Sequence, residues 1–363
     1  MRGEELKTQK QLKTQNSKPK TLKDIGEFGL IRKISQRSKK RDSSVLVGIG
    51  DDAAVINVGV GLAPTQKGQP QGLPLLITTD SLVEDIHFRR SYPPETIGWK
   101  ALAVNISDIA AMGGVPEYYL LSLSIPERVS VEYVDRFYSG MAGAAGKYGL
   151  SLIGGDTTAS PDRIYITITV IGKAGENVLL RKGARPGDAI FVTGTVGDSA
   201  LGLKILEEHT PPLPPLTKGG MGGWLINRHL RPIPRVKEGA FLAKSGMVTS
   251  MIDISDGLLA DMGHICEESR VGARIYAGKL PLSPGFRALS EEYGGMEIAL
   301  GGGEDYELLF TVRSEDIENF MSRSEGIRYT RIGEIIKGKE VHVIGTGGER
   351  YVPTSGGYEH FKG

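Results

Sequence analysis

The chain has 363 residues, which is enough for two domains of ordinary size, each with its own core. Its 44 Lys and Arg nearly balance its 43 Asp and Glu, so the net charge of +1 gives no electrostatic reason to expect nucleic acid or an anionic membrane as the main partner. Cys266 is the only cysteine, which excludes an internal disulfide and a cysteine-based zinc cluster.

The N-terminal stretch is basic and polar. Residues 1–23 are rich in Lys, Gln and Thr and lack the apolar centre of a signal peptide, so we expect a disordered tail. No apolar run approaches the roughly 20 residues that span a bilayer, and the pattern predicts a cytoplasmic protein. Two segments rich in Pro and Gly, 59–74 and 210–223, are interpreted as mobile surface insertions without a catalytic role.

Apolar periodicity predicts an N-terminal half of alternating strands and helices. The apolar run at 75–77 is expected to be a buried strand that ends in Thr78-Thr79-Asp80. The other elements expected in this half are a helix at 24–34, strand–turn–strand at 45–58, a helix at 97–112, a strand at 120–125, a helix at 131–148 and a strand at 164–171.

A second series of strands and helices begins after residues 181–188, which break the pattern. We therefore place a domain boundary near residue 178, with domains at 24–178 and 179–363. The elements expected in the second domain are strand 189–193, helices 197–208 and 236–245, strand 249–254, helix 257–270, strand 272–277, strand 305–312 and a last strand pair within 327–344.

Aspartates flanked by Gly, Ser or Thr recur at the edges of the apolar segments. If they converged without a cation they would repel one another, whereas Mg²⁺ prefers such oxygen ligands. The alternative is that each aspartate caps a helix or holds a turn, which is as reasonable for any single one. The whole set favours metal binding, because capping does not need so many acids at strand ends: Asp51, Asp52, Asp80, Asp108, Asp156, Asp253 and Asp256.

The chain contains neither a P-loop motif nor a dinucleotide-binding glycine fingerprint. Gly154-Gly155-Asp156 offers backbone amides beside a carboxylate, which suits a metal-bridged phosphate, although glycine pairs commonly just make turns. Arg181 could neutralise phosphate charge. His87 is either a loop residue or a substrate contact, and Tyr358 either docks the C-terminal segment or contacts a ligand.

Seven segments, in order, resemble the thiamine-monophosphate kinase family of the aminoimidazole ribonucleotide synthetase superfamily. The resemblance covers roughly residues 24–363, and the combination is far more specific than any one motif. It implies an α/β (α+β) fold with two domains, in which an N-terminal mixed sheet pairs in a homodimer and the C-terminal domain is an α/β sandwich. The segments are GIGDDAAV, TTDSLVEDIHF, KALAVNISDIAAMGG, LIGGDTT, RPGDAIFVTGTVGDSALGL, IDISDGLLADMGHI and GGEDYELLFT.

The resemblance also implies the activity and the residues that carry it. ATP would phosphorylate thiamine monophosphate to thiamine diphosphate with Mg²⁺, without a covalent nucleophile. ATP would be contacted by Gly155, Asp156, Arg181, Ser255 and, on a looser match, Tyr138. The thiamine substrate would be contacted by His87, Glu304 and Tyr358. The implied metal ligands are Asp52, Thr78, Thr79, Asp80, Asp108, Asp156, Asp253 and Asp256.

Other functions remain open from the residues alone. Within the superfamily, an aminoimidazole ribonucleotide synthetase or a selenophosphate synthetase is the alternative, but the latter is expected to carry a reactive cysteine near its N-terminus. A two-metal phosphohydrolase would use the same acids. A catalytically silent sensor would bind ATP and Mg²⁺ without turnover.

Overall fold

The computed structural model describes residues 21–37, 43–58, 74–208, 220–324, 326–354, 356–358 and 360. Residues 42–358 form one compact unit. Residues 1–20 of the expected tail, and segments 59–73 and 210–219 of the expected insertions, lie outside the described residues. None of the helices in the described part of the chain combines the length and apolarity needed to cross a membrane.

Helix α1 (Leu22–Arg37) belongs to a separate unit. It begins two residues before the expected start, so the last residues assigned to the disordered tail are helical. The Asp24 carboxylate explains this start, because it accepts hydrogen bonds from the Thr21 backbone N–H at 2.6 Å and from the Thr21 hydroxyl at 2.9 Å. Gly26 (φ 65°) interrupts the helical conformation.

The first half of the larger unit contains a six-stranded mixed sheet in the order β1-β2-β3-β6-β4-β5. Only β4 and β5 are parallel within it. Two helices cover one face of the sheet. The elements are β1 (Val45–Val47), β2 (Ala54–Ile56), β3 (Leu75–Val83), α2 (Pro94–Ala111), β4 (Val115–Ile125), α3 (Val131–Tyr148), β5 (Ser151–Ala159) and β6 (Tyr165–Lys173).

Strand β3 continues through the polar residues at which we expected it to end. It pairs with β6 along its whole length, from Leu75 opposite Lys173 to Val83 opposite Tyr165. Threonine suits a half-buried strand, and alternation preserves the buried face. Thr78 and Asp80 therefore share the helix-covered face with Leu76 and Leu82, whereas Thr79 lies on the opposite face.

Strand β5 is a second departure from the sequence-based prediction. Asp156 was expected in an acidic turn, but it lies within this edge strand, and every residue of β5 is exposed. Only one neighbour, β4, supplies hydrogen bonds to β5, so its outer edge is open. The pattern of small residues and Thr is compatible with both conformations, which is why the sequence did not distinguish them.

The second half contains a seven-stranded sheet in the order β13-β12-β9-β11-β7-β10-β8, in which only β12 and β9 are parallel. Short 3₁₀ helices occupy Ala277–Lys279, Ser290–Tyr293 and Ser314–Asp316. The strands are β7 (Ala189–Thr193), β8 (Val248–Asp253), β9 (Gly272–Tyr276), β10 (Leu308–Val312), β11 (Tyr329–Ile336), β12 (Val341–Ile344) and β13 (Arg350–Tyr351). The helices are α4 (Asp198–Glu208), α5 (Gly220–Leu230), α6 (Val236–Ser245), α7 (Leu258–Ser269), α8 (Pro284–Leu289), α9 (Met296–Gly301) and α10 (Ile317–Arg323).

Most elements lie within a few residues of their expected limits, and the predicted helices at 131–148 and 236–245 are confirmed. Helix α5 was missed, because its first turn, Gly220–Gly223, was included in an expected insertion. Strand β10 begins at Leu308 instead of 305, because Glu304 and Tyr306 have positive φ angles of 65° and 52°, which interrupt the extended backbone.

Helix α2 lies at the centre of the larger unit and is buried on almost every side. It packs against the first sheet, against α3 and against α6. At the contact with α6, an added Cβ on Gly239 would lie 2.2 Å from the Ala110 carbonyl oxygen, so only glycine permits this approach. Trp99 of α2 also donates a hydrogen bond of 2.8 Å to the Pro232 carbonyl. One helix therefore joins the two halves.

Candidate active site

Three polar residues on α2 connect the two sheets. The Asn105 side-chain oxygen accepts a hydrogen bond from the Asp80 backbone N–H at 3.0 Å, and Asp108 Oδ2 accepts one from Thr78 Oγ1 at 2.5 Å. Ser107 donates to Asp253 Oδ2, at the end of β8, over 2.5 Å. The 105–108 segment therefore fixes both β3 and β8 relative to the same helix.

Acids from distant parts of the chain converge beside this helix. Asp52, Asp108 and Asp253 each offer a carboxylate oxygen, and these oxygens lie within 4.8 Å of one another. Asp80 is close enough to raise the pKa of both Asp108 and Asp253. The structure therefore brings together four of the sequence-predicted ligands, from the β1–β2 turn, β3, α2 and β8.

Burial and mutual repulsion make these carboxylates hard to ionise. Burial, followed by the charges of Asp80, Asp253 and Asp52, raises the pKa of Asp108 well above its usual value. Burial and Asp52 raise the pKa of Asp253 to about 7. Several negative charges at this spacing need a cation between them.

The geometry fits a hard metal ion. Asp52 Oδ2 is buried and has no hydrogen-bond partner in the described part of the chain, although a buried carboxylate oxygen normally has one. A divalent cation among the oxygens of Asp52, Asp108 and Asp253 would supply the partner and remove the repulsion. Oxygen donors without sulfur or imidazole suit Mg²⁺ better than softer metals.

Arg181 lies against the acids. Its Nε and Nη2 donate to Asp52 Oδ1 at 3.1 and 2.6 Å, and its backbone N–H donates to Asp51 Oδ1 at 3.2 Å. The Asp52 side chain is fully buried, whereas 22% of the Arg181 side chain is exposed. The guanidinium therefore offsets one carboxylate and presents its remaining edge to the open side of the site.

Asp256 and Ser255 lie in the loop between β8 and α7, which Asp261 organises. Asp261 Oδ2 accepts backbone N–H groups of Ser255, Asp256 and Gly257 at 3.1 to 3.2 Å. This is a capping role that the sequence argument had kept as an alternative for the acids. Asp256, Asp261 and His264 also form a second group with ligand atoms within 4.8 Å of one another. The Tyr358 backbone N–H donates to the Asp256 carbonyl at 2.9 Å, and 51% of Tyr358 is exposed.

His87 lines a small, partly open recess. Its Nδ1 accepts a hydrogen bond from the Val83 backbone N–H at 3.0 Å. The recess is also lined by Phe88, Tyr92, Lys100 and His229, and Glu304 contacts the last two. Tyr306 is buried, and its pKa is raised well above its usual value by burial and then by Glu304, Asp80, Asp253 and Asp108. The recess and the acid cluster are therefore adjacent.

Four predicted residues do not join the cluster within this chain. Thr79 faces away from Asp80, and its hydroxyl donates to the Ile168 carbonyl. Gly155 and Asp156 lie on the exposed strand β5, and Asp156 is in neither acid group found among the described residues. Tyr138 packs edge-on against Phe137 in α3, with the ring centroids 5.6 Å apart.

Sequence reasoning missed Ser107, Lys100 and His229. Ser107 was part of a recognised motif but was given no role, because a single helical serine carries no signal of its own. Lys100 did leave a signal, since it and Asp108 are the only charged residues in the helix predicted at 97–112. His229 left none, because the start of its helix had been assigned to an insertion.

Comparisons with known proteins identify the family. The models of the N-terminal and C-terminal domains of AIR synthase related protein match residues 50–174 and 185–346. A thiamine-monophosphate kinase of Aquifex aeolicus is 40% identical over 342 residues, which is 94% of this chain and 99% of that protein. One from Escherichia coli K12 is 38% identical over 93% of this chain and 98% of its own length.

Solved structures give the same result. The chain matches a structure described as AaThiL complexed with AMPPCP and TMP, with a TM-score of 0.79 and 38% identity over 95% of this chain and 100% of that one. It also matches thiamine-monophosphate kinase from Stenotrophomonas maltophilia K279a, with a TM-score of 0.70 and 38% identity over 90% of this chain and 98% of that one. The chain therefore belongs to the AIR synthase related proteins and, among them, to the thiamine-monophosphate kinase family of phosphotransferases.

Proposed function

We propose that this protein transfers the γ-phosphoryl group of ATP directly to the phosphate of thiamine monophosphate, giving thiamine diphosphate and ADP, the last step of thiamine diphosphate biosynthesis. The observation that supports it most is the convergence of Asp52, Asp108 and Asp253, with the recess at His87 separated from them by no more than Tyr306 and Glu304. A relative of similar fold was solved with AMPPCP and TMP. In this proposal the acids take the phosphates, through Mg²⁺, and the neighbouring residues take the organic part of the substrate.

In this proposal the site residues bind Mg²⁺ and neutralise the charge of the phosphates. The proposed Mg²⁺ ligands within this chain are Asp52, Thr78, Asp80, Asp108, Asp253 and Asp256, with Thr79 and Asp156 as the remaining candidates. Bound Mg²⁺ would lower the repulsion between the two polyanionic reactants. Arg181 adds a positive charge there, and Ser255 borders the same loop. The acceptor phosphate is already anionic at neutral pH, so no side chain has to act as a strong base.

In this proposal His87, Glu304 and Tyr358 contact thiamine monophosphate, and Gly155, Asp156, Arg181, Ser255 and Tyr138 contact ATP. No side chain carries the phosphoryl group in transit.

The test is ADP formation by the purified protein with Mg²⁺ and ATP, with and without thiamine monophosphate. ADP and thiamine diphosphate should appear in equal amounts, and only when the substrate is present. ATP hydrolysis without it, or a phosphorylated residue trapped during turnover, would contradict direct transfer.

We also propose a homodimer formed through the first sheet. Leu152 and Ile153 on the open edge strand β5 are 46% and 53% exposed, and Tyr118 and Tyr165 on neighbouring strands are 43% and 44% exposed. An open strand edge with exposed apolar side chains invites pairing with another chain. Pairing there would also bring Gly155 and Asp156 against a second copy.

We further propose that the chain divides into two domains, residues 24–178 and residues 179–363.

Ile153→Asp tests the dimer. A charge on the pairing strand should shift the protein to monomers in sedimentation velocity and lower turnover, because Asp156 lies on the same strand. Val131→Asp is the matched control, since Val131 is 76% exposed at the start of α3 and an acid there suits the helix N-terminus. A wild-type protein that is monomeric and fully active at all concentrations would refute the proposal.

A further inference from the structure

Three ionisable side chains from three different elements meet at the wall of the recess. Lys100 Nζ of α2 lies 2.7 Å from Glu304 Oε1, and His229 Nδ1 of α5 lies 3.2 Å from Glu304 Oε2. Lys100 Nζ is also 3.5 Å from His229 Nε2. The Lys100 and His229 side chains are 4% and 2% exposed, whereas that of Glu304 is 27% exposed. Glu304 is therefore the member of the cluster that faces the open space.

The contacts determine which atoms carry protons. An ammonium group can only donate, so Lys100 donates to Nε2 of His229 and to Glu304. His229 then carries its proton on Nδ1, which lies 3.2 Å from both the Ser199 hydroxyl oxygen and Glu304 Oε2. Burial, followed by the charge of Lys100, lowers the pKa of His229 to about 3, so the ring is neutral. Burial raises the pKa of Glu304, but the basic groups around it, Lys100 first among them, together outweigh burial and the pKa is lowered overall. An ionised Glu304 thus has the Lys100 ammonium at one carboxylate oxygen and the polar edge of the His229 ring beside the other.

The backbone also holds Glu304 in place. Its φ angle is 65°, a left-handed conformation that non-glycine residues adopt rarely and that surrounding contacts must stabilise. The Glu304 backbone N–H donates to the Ser255 carbonyl at 2.8 Å. The next residue, Asp305, accepts the backbone N–H groups of Gly197 at 2.6 Å and of Ser199 at 3.1 Å. The loop is therefore tied to β8 on one side and to the start of α4 on the other.

We propose that Lys100 and His229 are positioning residues that hold the Glu304 carboxylate in one orientation, so that it accepts a hydrogen bond from an N–H group on the non-phosphate part of the substrate. The inference rests on the proposed function, because the acid cluster beside Tyr306 would take the phosphate end. With Lys100 charged and His229 neutral, the cluster has no net charge. It therefore selects by hydrogen bonding, and a cationic ring without an N–H donor gains little from it.

A double-mutant cycle tests this inference. Glu304→Gln and Lys100→Met should each weaken the binding of thiamine monophosphate, because each removes a charge-assisted hydrogen bond. The KM and the calorimetric Kd for this substrate should rise by roughly 10- to 100-fold, with a much smaller change in kcat. In the Glu304→Gln background, Lys100→Met should change KM by less than about threefold, because it acts only through Glu304. The double variant also leaves no unpaired buried charge if Lys100→Met alone folds poorly.

Conservative changes and a substrate analogue complete the design. His229→Asn keeps a donor near Glu304 and should retain more affinity than His229→Leu, while the exposed Lys204→Met is the control for loss of a lysine. A thiamine monophosphate analogue whose exocyclic amino group is replaced by oxygen keeps its ring charge and should lose affinity with wild type but not with Glu304→Gln. Additive effects in the cycle, or a fall in kcat at unchanged KM, would overturn the positioning role. If the wild type shows no substrate-dependent ADP formation, the proposed function itself fails.

Discussion

Asp108→Asn is expected to lower kcat for phosphoryl transfer by roughly 10²- to 10³-fold or more while the fold is kept. Asparagine has the shape of aspartate and can still accept the hydrogen bond from Thr78 Oγ1, but it lacks the charge that would bind Mg²⁺. Steady-state kinetics with magnesium as the varied component is the measurement. Wild-type turnover at limiting magnesium would show that Asp108 is not a ligand.

Thermal stability gives the same variant a second readout. Burial and the charges of Asp80, Asp253 and Asp52 disfavour ionisation of Asp108, so removing its charge should leave the magnesium-free protein as stable as wild type or more stable. Magnesium should then raise the unfolding temperature less than in wild type, because at a given concentration a weakly bound ligand stabilises the folded state less than a tightly bound one. Asp135→Asn, on the exposed surface of α3, is the matched control and should behave like wild type in both assays.

Arg181→Met is expected to destabilise the magnesium-free protein by about 3–5 kcal/mol, the usual cost of leaving a buried charge without its partner. Asp52 would lose both side-chain donors from Arg181 while it stays fully buried. Urea denaturation measures the free energy of unfolding. Saturating magnesium should recover part of the loss, because a cation at Asp52 replaces the missing positive charge.

Two further variants show whether the loss of stability comes from the unpaired charge of Asp52 or from the loss of the arginine side chain itself. Arg181→Met with Asp52→Asn should regain most of the stability, since no buried charge is left unpaired, although it should remain inactive. Arg185→Met removes an exposed arginine four residues away and should cost little. A loss below 1 kcal/mol for Arg181→Met without magnesium would mean that the ion pair contributes less than its burial indicates.

Local sequence patterns were sufficient to predict which side of a helix a residue lies on. Residues three apart lie on one side of a helix, as Asn105 and Asp108 do, and both side chains contact β3. The same reasoning was wrong for Thr78-Thr79-Asp80. Polar residues were interpreted as the end of a strand, but their neighbours in β6 keep the backbone hydrogen bonds of the ladder and the strand continues.

The Lys100, His229 and Glu304 cluster shows why the rest of the site could not be predicted. Lys100 and Glu304 are separated by more than 200 positions in the sequence, and their contact depends on α5 and on a loop held at positive φ. Neither side chain has a neighbour in sequence that indicates its partner. Burial, which sets the proton positions in this cluster, is a property of the packed molecule.

The sequence by itself determined the types of residue, the periodicity of most helices and strands, and the motifs that identify the family. The tertiary structure alone decided which acids share a centre, which face of β3 carries Thr78 and Asp80, and that Asp156 lies on an open edge apart from the others. The physical reason is the range of the interactions. Backbone preference and alternation act between near neighbours in the chain, whereas repulsion, desolvation and metal binding act between groups that only folding brings together.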